Sequence, residues 1–302
     1  VHTPPRDFDE QALRDALESG WSLQAEPLTY QAVGFGSHHW EIPGYFISVN
    51  ELRSDDTWGR LHDAYAAVSA LQATGRDRAV APLPACDGKP IRRLGNYAVA
   101  VCPFVDSEPF AWQQYRQAFV NLITGVHAAP PEVRNLARTE DYVIPRRDEV
   151  VTFRPGDGPF GRRAAELLTA TADKTAEAFA RYDHLVAAVQ ADPPDLVLTH
   201  GEPFPQNTLF AGGRWRLIDW DTTLTAPPER DLWDIESPGG TLHAEYTAAT
   251  GTVLRPELLA LYRLRWDLGE IAQCSFWFGR PHGDTDDDRE MWGILGESLE
   301  AL

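Results

Sequence analysis

Glu202 and Asn207 stand five residues apart in Thr199-His200-Gly201-Glu202-Pro203-Phe204-Pro205-Gln206-Asn207. Asp219 follows twelve positions later in Leu217-Ile218-Asp219-Trp220-Asp221, and Asp231 lies ten beyond Asp221 in Pro227-Pro228-Glu229-Arg230-Asp231-Leu232. These residue types match what phosphoryl transfer asks for. One carboxylate must sit beside an acceptor hydroxyl, and an amide oxygen and a second carboxylate must hold the magnesium that bridges the phosphates. Glu202 is the candidate for the first task, Asn207 and Asp219 for the second, with Asp221 nearby. A lone His-Gly-Glu is usually only a turn. The separations to Asn207, Asp219 and Asp231 make chance a poor account of this one.

The surrounding elements must bring these groups together. A short apolar strand, Leu196–Leu198, enters His200. A hairpin follows, Thr208–Phe210 and Trp215–Ile218 around Gly212-Gly213, and returns Asp219 to the same place. Upstream, Leu13 and Leu17 mark a helix over residues 10–19, and Pro27–Gln31 is strand-like. His38–Ile42 and Tyr45–Val49 read as strands around a Pro43-Gly44 turn, with His38 and His39 on opposite faces, one packed and one solvated. Trp58, Leu61, Ala64, Tyr65, Val68 and Leu71 form one stripe of a helix over 57–74, whose only acid is Asp63. Val80–Leu83 and Ile91–Leu94 flank a turn at Asp87-Gly88, and Tyr97–Val101 is a strand running into Pro103-Phe104-Val105. From Gln113 the pattern is helical: 113–128, the long stretch 160–190 and the tail 240–302. The expected division is therefore a sheet-rich part, residues 1–105, and a helix-rich part, residues 106–302.

The segment resembles the phosphotransferase family of aminoglycoside and choline kinases, whose pattern is His-Gly-Asp, four residues, Asn, then Ile-Asp-Trp or Ile-Asp-Phe, then Arg-Asp-Leu. Ile218-Asp219-Trp220-Asp221 and Ala226-Pro227-Pro228-Glu229-Arg230-Asp231-Leu232 make it look most like the spectinomycin-type antibiotic phosphotransferases. The resemblance implies an α+β, two-lobed, protein-kinase-like fold: a five-stranded antiparallel-sheet N-lobe and a helical C-lobe. It implies Mg2+ and ATP or GTP as cofactors, with Glu202 at the catalytic position, Asn207 and Asp219 as metal ligands, and His200, Asp221 and Asp231 in support, Asp231 as the buried acid that braces the loop. Gly34-Phe35-Gly36-Ser37 resembles the turn that covers the nucleotide, and Pro103-Phe104-Val105 the hinge that meets the base. The likeness runs in order through residues 33–235, strongest in the C-terminal half.

Two departures stand out. Glu202 replaces the family's Asp and is one methylene longer. Ser48 stands where the family has a strand lysine, and the helix over 57–74 has no glutamate to pair with one. Lysine occurs only at Lys89 and Lys174, neither well placed to substitute. A different cation from His38, His39, Arg53 or Arg60 must reach the phosphates, or magnesium and the turn's amides must suffice.

Composition narrows the partners. Among 302 residues the net charge is −18, which repels nucleic acid and anionic lipid and suits a cationic small molecule. No apolar run is long enough for a membrane span, the first ten residues show no signal-peptide pattern, and Cys86, Cys102 and Cys274 read as buried free thiols, so a cytoplasmic protein is expected. The acidic run Asp284, Asp286, Asp287 and Asp288 lacks the residues of a calcium loop and reads as a solvated turn. Trp266, Trp277 and Trp292 read as helix packing. The leading expectation is an ATP- or GTP-dependent phosphotransferase acting on a hydroxyl of a small, amine-bearing metabolite or antibiotic. The alternative is a kinase-fold binding protein with little transfer activity, which the missing lysine favours and the retained metal-site groups oppose. A biosynthetic role and a resistance role are both open.

Overall fold

The computed structural model describes residues 2–5, 8–34, 36–75, 78–236 and 240–302. In chain order its elements are α1 (Glu10–Trp21), β1 (Thr29–Gln31), β2 (His38–Ile42), β3 (Tyr45–Glu51), α2 (Asp55–Ala73), β4 (Arg92–Leu94), β5 (Tyr97–Pro103), α3 (Trp112–His127), α4 (Pro131–Arg134), α5 (Arg147–Val151), α6 (Gly161–Ala170), α7 (Ala172–Ala191), β6 (Val197–Thr199), β7 (Thr208–Ala211), β8 (Arg214–Leu217), β9 (Leu224–Ala226), α8 (Thr241–Thr250), α9 (Pro256–Phe278) and α10 (Asp286–Ala301). They fall into two compact units. One holds residues 1–140, 196–231 and 241–252, and the other holds 141–195, 232–240 and 253–302.

The first unit carries the expected five-stranded antiparallel sheet, in the order β1-β2-β3-β5-β4. Strict alternation decides its two faces. Trp40, Ile42, Ile47, Val49, Val99 and Val101 point to one side and bury against Leu13 and Leu17 of α1. Their neighbours His39, Phe46, Ser48 and Cys102 point to the other and line a cavity. Helix α2 starts earlier than its apolar stripe shows. Ser54 caps it by accepting from the Thr57 N–H, and Asp55 and Asp56 complete the first turn, where a carboxylate complements the helix dipole. Asp63 is thus not the helix's only acid.

Two small ladders complete this unit's chemistry. β6 pairs with β9, and β7 pairs with β8 in register Thr208↔Leu217 to Ala211↔Arg214. The hairpin is anchored along its length. Val80 and Leu217 bond to one another's segment through Val80 N–H to Leu217 O and Leu217 N–H to Arg78 O, while Glu108 N–H donates to Phe210 O. Its tip, Gly212-Gly213, turns through φ of +57° and +73°, where glycine carries no steric penalty.

In the second unit the stretch 160–190 is not one helix. It breaks at Thr171, whose hydroxyl turns back to the Leu167 carbonyl while its backbone leaves helical geometry. Phe160, Ala164 and Leu168 pack with Ile271, Cys274 and Phe278 of α9 and Met291, Leu295 and Leu299 of α10. Trp292 stacks on Phe160, and Trp266 meets Trp233. Lys174 donates to the Leu299 and Glu300 carbonyls. Two expectations are corrected. Asp288 is buried rather than solvated. It forms a capping box with Thr285 at the start of α10 and also accepts from Trp277 Nε1, because a helix N-terminus leaves donors that need an acceptor. Cys86 is exposed: it follows Ala85 at the Asp87-Gly88 turn rather than lying in a strand. Among the described residues no helix is long and apolar enough to cross a membrane.

Candidate active site

The loop after β6 is held from beneath by one carboxylate. Asp231 is buried on the turn Pro228–Asp231 and accepts from the backbone N–H groups of His200 (2.8 Å) and Gly201 (2.6 Å) and from His127 Nε2 (3.0 Å). Burial alone would raise its carboxyl. The His127 hydrogen bond and the neighbouring charges of His127 and Arg230 outweigh that and hold it below the usual carboxylate range. His127 is itself fixed by the Tyr246 hydroxyl at 2.8 Å. Gly201 has φ +104°, and a Cβ there would come within 2.4 Å of the Arg230 guanidinium, which is tied to Thr199 Oγ1 and the Thr222 carbonyl. Glycine is therefore required by both conformation and space.

His200 ties the loop to the hairpin. Its Nδ1 accepts from the Glu202 N–H at 3.2 Å, so the proton sits on Nε2, which donates to the Ile218 carbonyl at 2.8 Å. The ring is fully buried beside Trp220, and burial lowers its pKa to about 4, so the imidazole is neutral. Asn207 Nδ2 donates to the Glu202 carbonyl (3.0 Å) and Ile218 N–H donates to the Asn207 carbonyl (3.0 Å). Thr222 Oγ1 closes the circuit by donating to the His200 carbonyl. Glu202, Asn207 and Asp219 are thus brought together by hydrogen bonds that join the loop to both ends of the hairpin.

Asp219 lies in the left-handed region, φ +63°, a conformation Asp tolerates better than most residues. Its carboxyl is pushed well above the usual range by burial, then by Asp221, then by Glu202. Asp221 is likewise raised by burial, against the pull of its own and the Thr222 N–H groups. Among the described residues no cation pairs with Asp219 or Asp221. A buried carboxyl in the field of two further carboxylates is one whose charged form a divalent cation would favour. The Asn207 amide is pinned through its nitrogen, which leaves its oxygen as a hard donor atom, and Asn207 lines the same cavity as Asp219. These residues fit a magnesium ion.

Asn207 and Asp219 line a cavity of about 300 Å³ together with Gly34, His39, Phe46, Ser48, Tyr65, Cys102, Phe104 and Val105. That volume is at the lower end of ordinary small-molecule sites. Of the expected nucleotide contacts, Gly34, Ser48, Phe104 and Val105 are on its wall. Gly36 is exposed and not on the wall, Ser37 reaches it only through His39, and Phe35 lies outside the described residues. The Phe104 N–H is committed to the Gly44 carbonyl at 2.9 Å, so it is not among the donors a base would meet. Glu202 and Asp221 sit beside Asp219 rather than on the cavity wall.

Two positions around the site carry no signal in the sequence. Tyr65 is a buried member of the α2 stripe and reads as core. Its hydroxyl, hydrogen-bonded to Asn50, faces the field of Asp221 and Asp219, and burial followed by those two charges raises its pKa far above the ordinary phenol value. His127 is on α3, over a hundred residues from Asp231, and no local signal joins them. Asp63 is held by Arg138 Nε at 3.0 Å, so it is already engaged and offers nothing to position 48.

The chain matches the model of the phosphotransferase enzyme family over residues 51–273. It is 31% identical over 309 residues to Protein StrN of Streptomyces griseus, covering 96% of this chain and 91% of that one. Among solved structures it resembles a spectinomycin phosphotransferase in complex with ADP and spectinomycin (TM-score 0.71, 16% identity, 98% of each chain). It also resembles a microcompartment-associated aminopropanol kinase (TM-score 0.65, 13% identity, 96% of this chain and 95% of that one). At those identities the structural likeness is one of fold. With the sheet, the loop and the hairpin ordered as described, and with the family model covering most of the chain, the protein belongs to the phosphotransferase enzyme family.

Proposed function

We propose that the protein transfers the terminal phosphoryl group of ATP or GTP to a hydroxyl of a small, amine-bearing antibiotic or metabolite in the cytoplasm. The observation that carries this reading is that Asn207 and Asp219 line one cavity with the β2–β3 face, while Glu202 is tied to Asn207 by a hydrogen bond and acts on Asp219 through its charge. In this reading residues 1–105 form the lobe that covers the nucleotide, and residues 106–302 supply the loop, the metal ligands and the acceptor cleft. Asn207 and Asp219 hold magnesium, which neutralises charge on the phosphates. Glu202 accepts or orients the acceptor's hydroxyl proton. His200 and Asp231 keep the loop rigid so that these distances do not drift. Nucleotide binding is supported by the wall itself, which Gly34, Phe104 and Val105 line. The net charge of −18 supports a cationic acceptor.

Turnover with an acceptor panel, after thermal-shift screening of Mg·ATP and Mg·GTP, tests the assignment. Glu202→Ala is expected to cost about 10²-fold or more, as for a positioned proton acceptor. Glu202→Asp is expected to slow transfer too, since the longer arm is matched to its acceptor. Near-wild-type rates in Glu202→Ala would refute the role. Failure to bind any nucleoside triphosphate would leave the binding-protein reading, which Ser48 favours.

A further inference from the structure

β3 presents no cation to the cavity. Its cavity-facing residues are Phe46 and Ser48, and α2 offers Tyr65 rather than an acid. What does face Ser48 is His39, its direct cross-strand partner. The imidazole lies between two hydroxyls, with Nε2 at 3.1 Å from Ser37 Oγ and Nδ1 at 3.3 Å from Ser48 Oγ. One face stacks on Phe46 at 5.0 Å, and a Cβ on Gly34 would sit 3.2 Å from Nε2, so the glycine turn closes over the ring. The ring is buried, but it is on the wall of the cavity that Asn207 and Asp219 share.

A neutral imidazole has one N–H and one lone pair. If Nε2 carries the proton, it donates to Ser37, Ser48 donates to Nδ1, and the Ser37 hydroxyl proton remains to give. In the other tautomer the roles reverse and Ser48 holds the spare proton. Either way the row supplies one donor, and the tautomer chooses whether it is at the turn or on the strand. An imidazolium would donate to both serines, leaving both hydroxyl protons to give and adding a positive charge.

We propose that the Ser37 and Ser48 hydroxyls, oriented by His39 as their positioning residue, are the phosphate-binding row of this cavity, an adaptable neutral donor row in place of the absent strand ammonium. The proposal rests on the nucleotide reading above. It assigns the task to this row rather than to His38, Arg53 or Arg60. His38 is on the opposite face of β2, against Tyr30, Arg53 pairs with Glu51, and Arg60 pairs with Asp56. The titratable groups around the ring are His38 on its own strand, and Tyr65, Cys102 and Asp219 on the cavity wall. The Asp219 charge is opposed by bound magnesium in that reading.

Calorimetric titration of Mg·ATP, Mg·ADP and adenosine into the wild type, His39→Ala and His39→Gln tests it. Removing the imidazole that orients the two serine donors should weaken Mg·ATP by about tenfold or more and leave adenosine within about twofold, on the scale of one charge-assisted hydrogen bond. Glutamine, which can bond both serines, should recover part of the loss. Equal weakening of ATP and adenosine would overturn the proposal, because His39 would then be shaping the base end. Unchanged ATP affinity in His39→Ala would overturn it as well. If the wild type binds no nucleotide, the underlying functional reading fails, and the two failures are distinguished by that first titration.

Discussion

Acidification should loosen the loop through histidines before it reaches ordinary surface carboxylates. His200 is neutral and buried, with Nδ1 facing a backbone N–H, so a proton added there would set two donors against each other. Its pKa is lowered from 6.5 to about 4 by burial, and His39 shows the same gap from the same leading cause. Between those values the unfolded chain binds the proton and the folded chain does not. Stability is therefore intact above pH 6.5, falls as pH drops toward 4, and loses nothing more from these groups below that. At about 1.4 kcal/mol per tenfold, a gap from 6.5 to about 4 is worth about 3 kcal/mol for each histidine. Together they approach the whole stability of an ordinary domain, about 5–15 kcal/mol. Asp219 and Asp221 act with the opposite sign. Their folded carboxyls are raised, so the folded state takes up protons first and gains stability as pH falls. The wild-type slope is a difference between these terms, and a variant must isolate the histidine part. Urea unfolding of wild type and His39→Gln, followed by tryptophan fluorescence at pH 7.5, 6.5, 5.5 and 4.5, does so. The gap between the two proteins should change by about 2–3 kcal/mol across the series, with wild type losing more on acidification. His200 is read separately from its Cε1 proton resonance, expected to titrate near pH 4, with Trp220 emission quenched in step because the rings are 4.5 Å apart. Parallel stability profiles for the two proteins, or a His200 resonance titrating above 6, would refute the reasoning.

Two further outcomes test the carboxylates. Asp219→Asn should raise the melting temperature in metal-free buffer, by about 2–4 °C for each kcal/mol of relieved repulsion, because Asn tolerates the left-handed backbone and removes one of three crowded charges. The same variant should lose magnesium-dependent stabilisation, and a lower metal-free melting temperature would contradict the crowding. Asp231→Asn must turn an amide N–H toward the His200, Gly201 or His127 donors in a buried site. It should cost roughly 3–5 kcal/mol, read by urea unfolding, and an unchanged midpoint would remove Asp231 from its place under the loop.

The legible parts of this structure are those whose cause is local. β2 and β3 follow from alternation, and the β7–β8 hairpin follows from two apolar runs around a glycine pair. Asn207 and Asp219 meet because a hairpin brings its own ends together, so twelve residues of spacing are enough to place them. Alternation also puts His38 and His39 on opposite faces. Which one faces the cavity depends on the pairing of His39 with Ser48, and nothing within β2 states that register. Tyr65 reads as core because burial beside a carboxylate pair and burial beside leucines leave the same periodic mark. His127 meets Asp231 only through the packing of α3 against the loop. The exposed Cys86 and the capping Asp288 were misjudged by type: cysteine is usually buried and clustered aspartate usually solvated, and local turn and cap geometry overruled both.

The glycine tip of the hairpin has a practical consequence. Asn207 and Ile218 are joined at the base by a backbone hydrogen bond, and the rungs above it fix their separation whatever happens at Gly212-Gly213. Length added at the tip lengthens a loop, and loop closure grows costlier only slowly with length. Length added between Asn207 and Thr208, or between Leu217 and Asp219, shifts the register and turns a ligand to the other face. The tip is therefore a place where a fluorophore, an affinity tag or an inserted domain can be carried on the hairpin that holds Asn207 and Asp219 without resetting their spacing, a built-in mount for reporting on the cavity from within the protein itself.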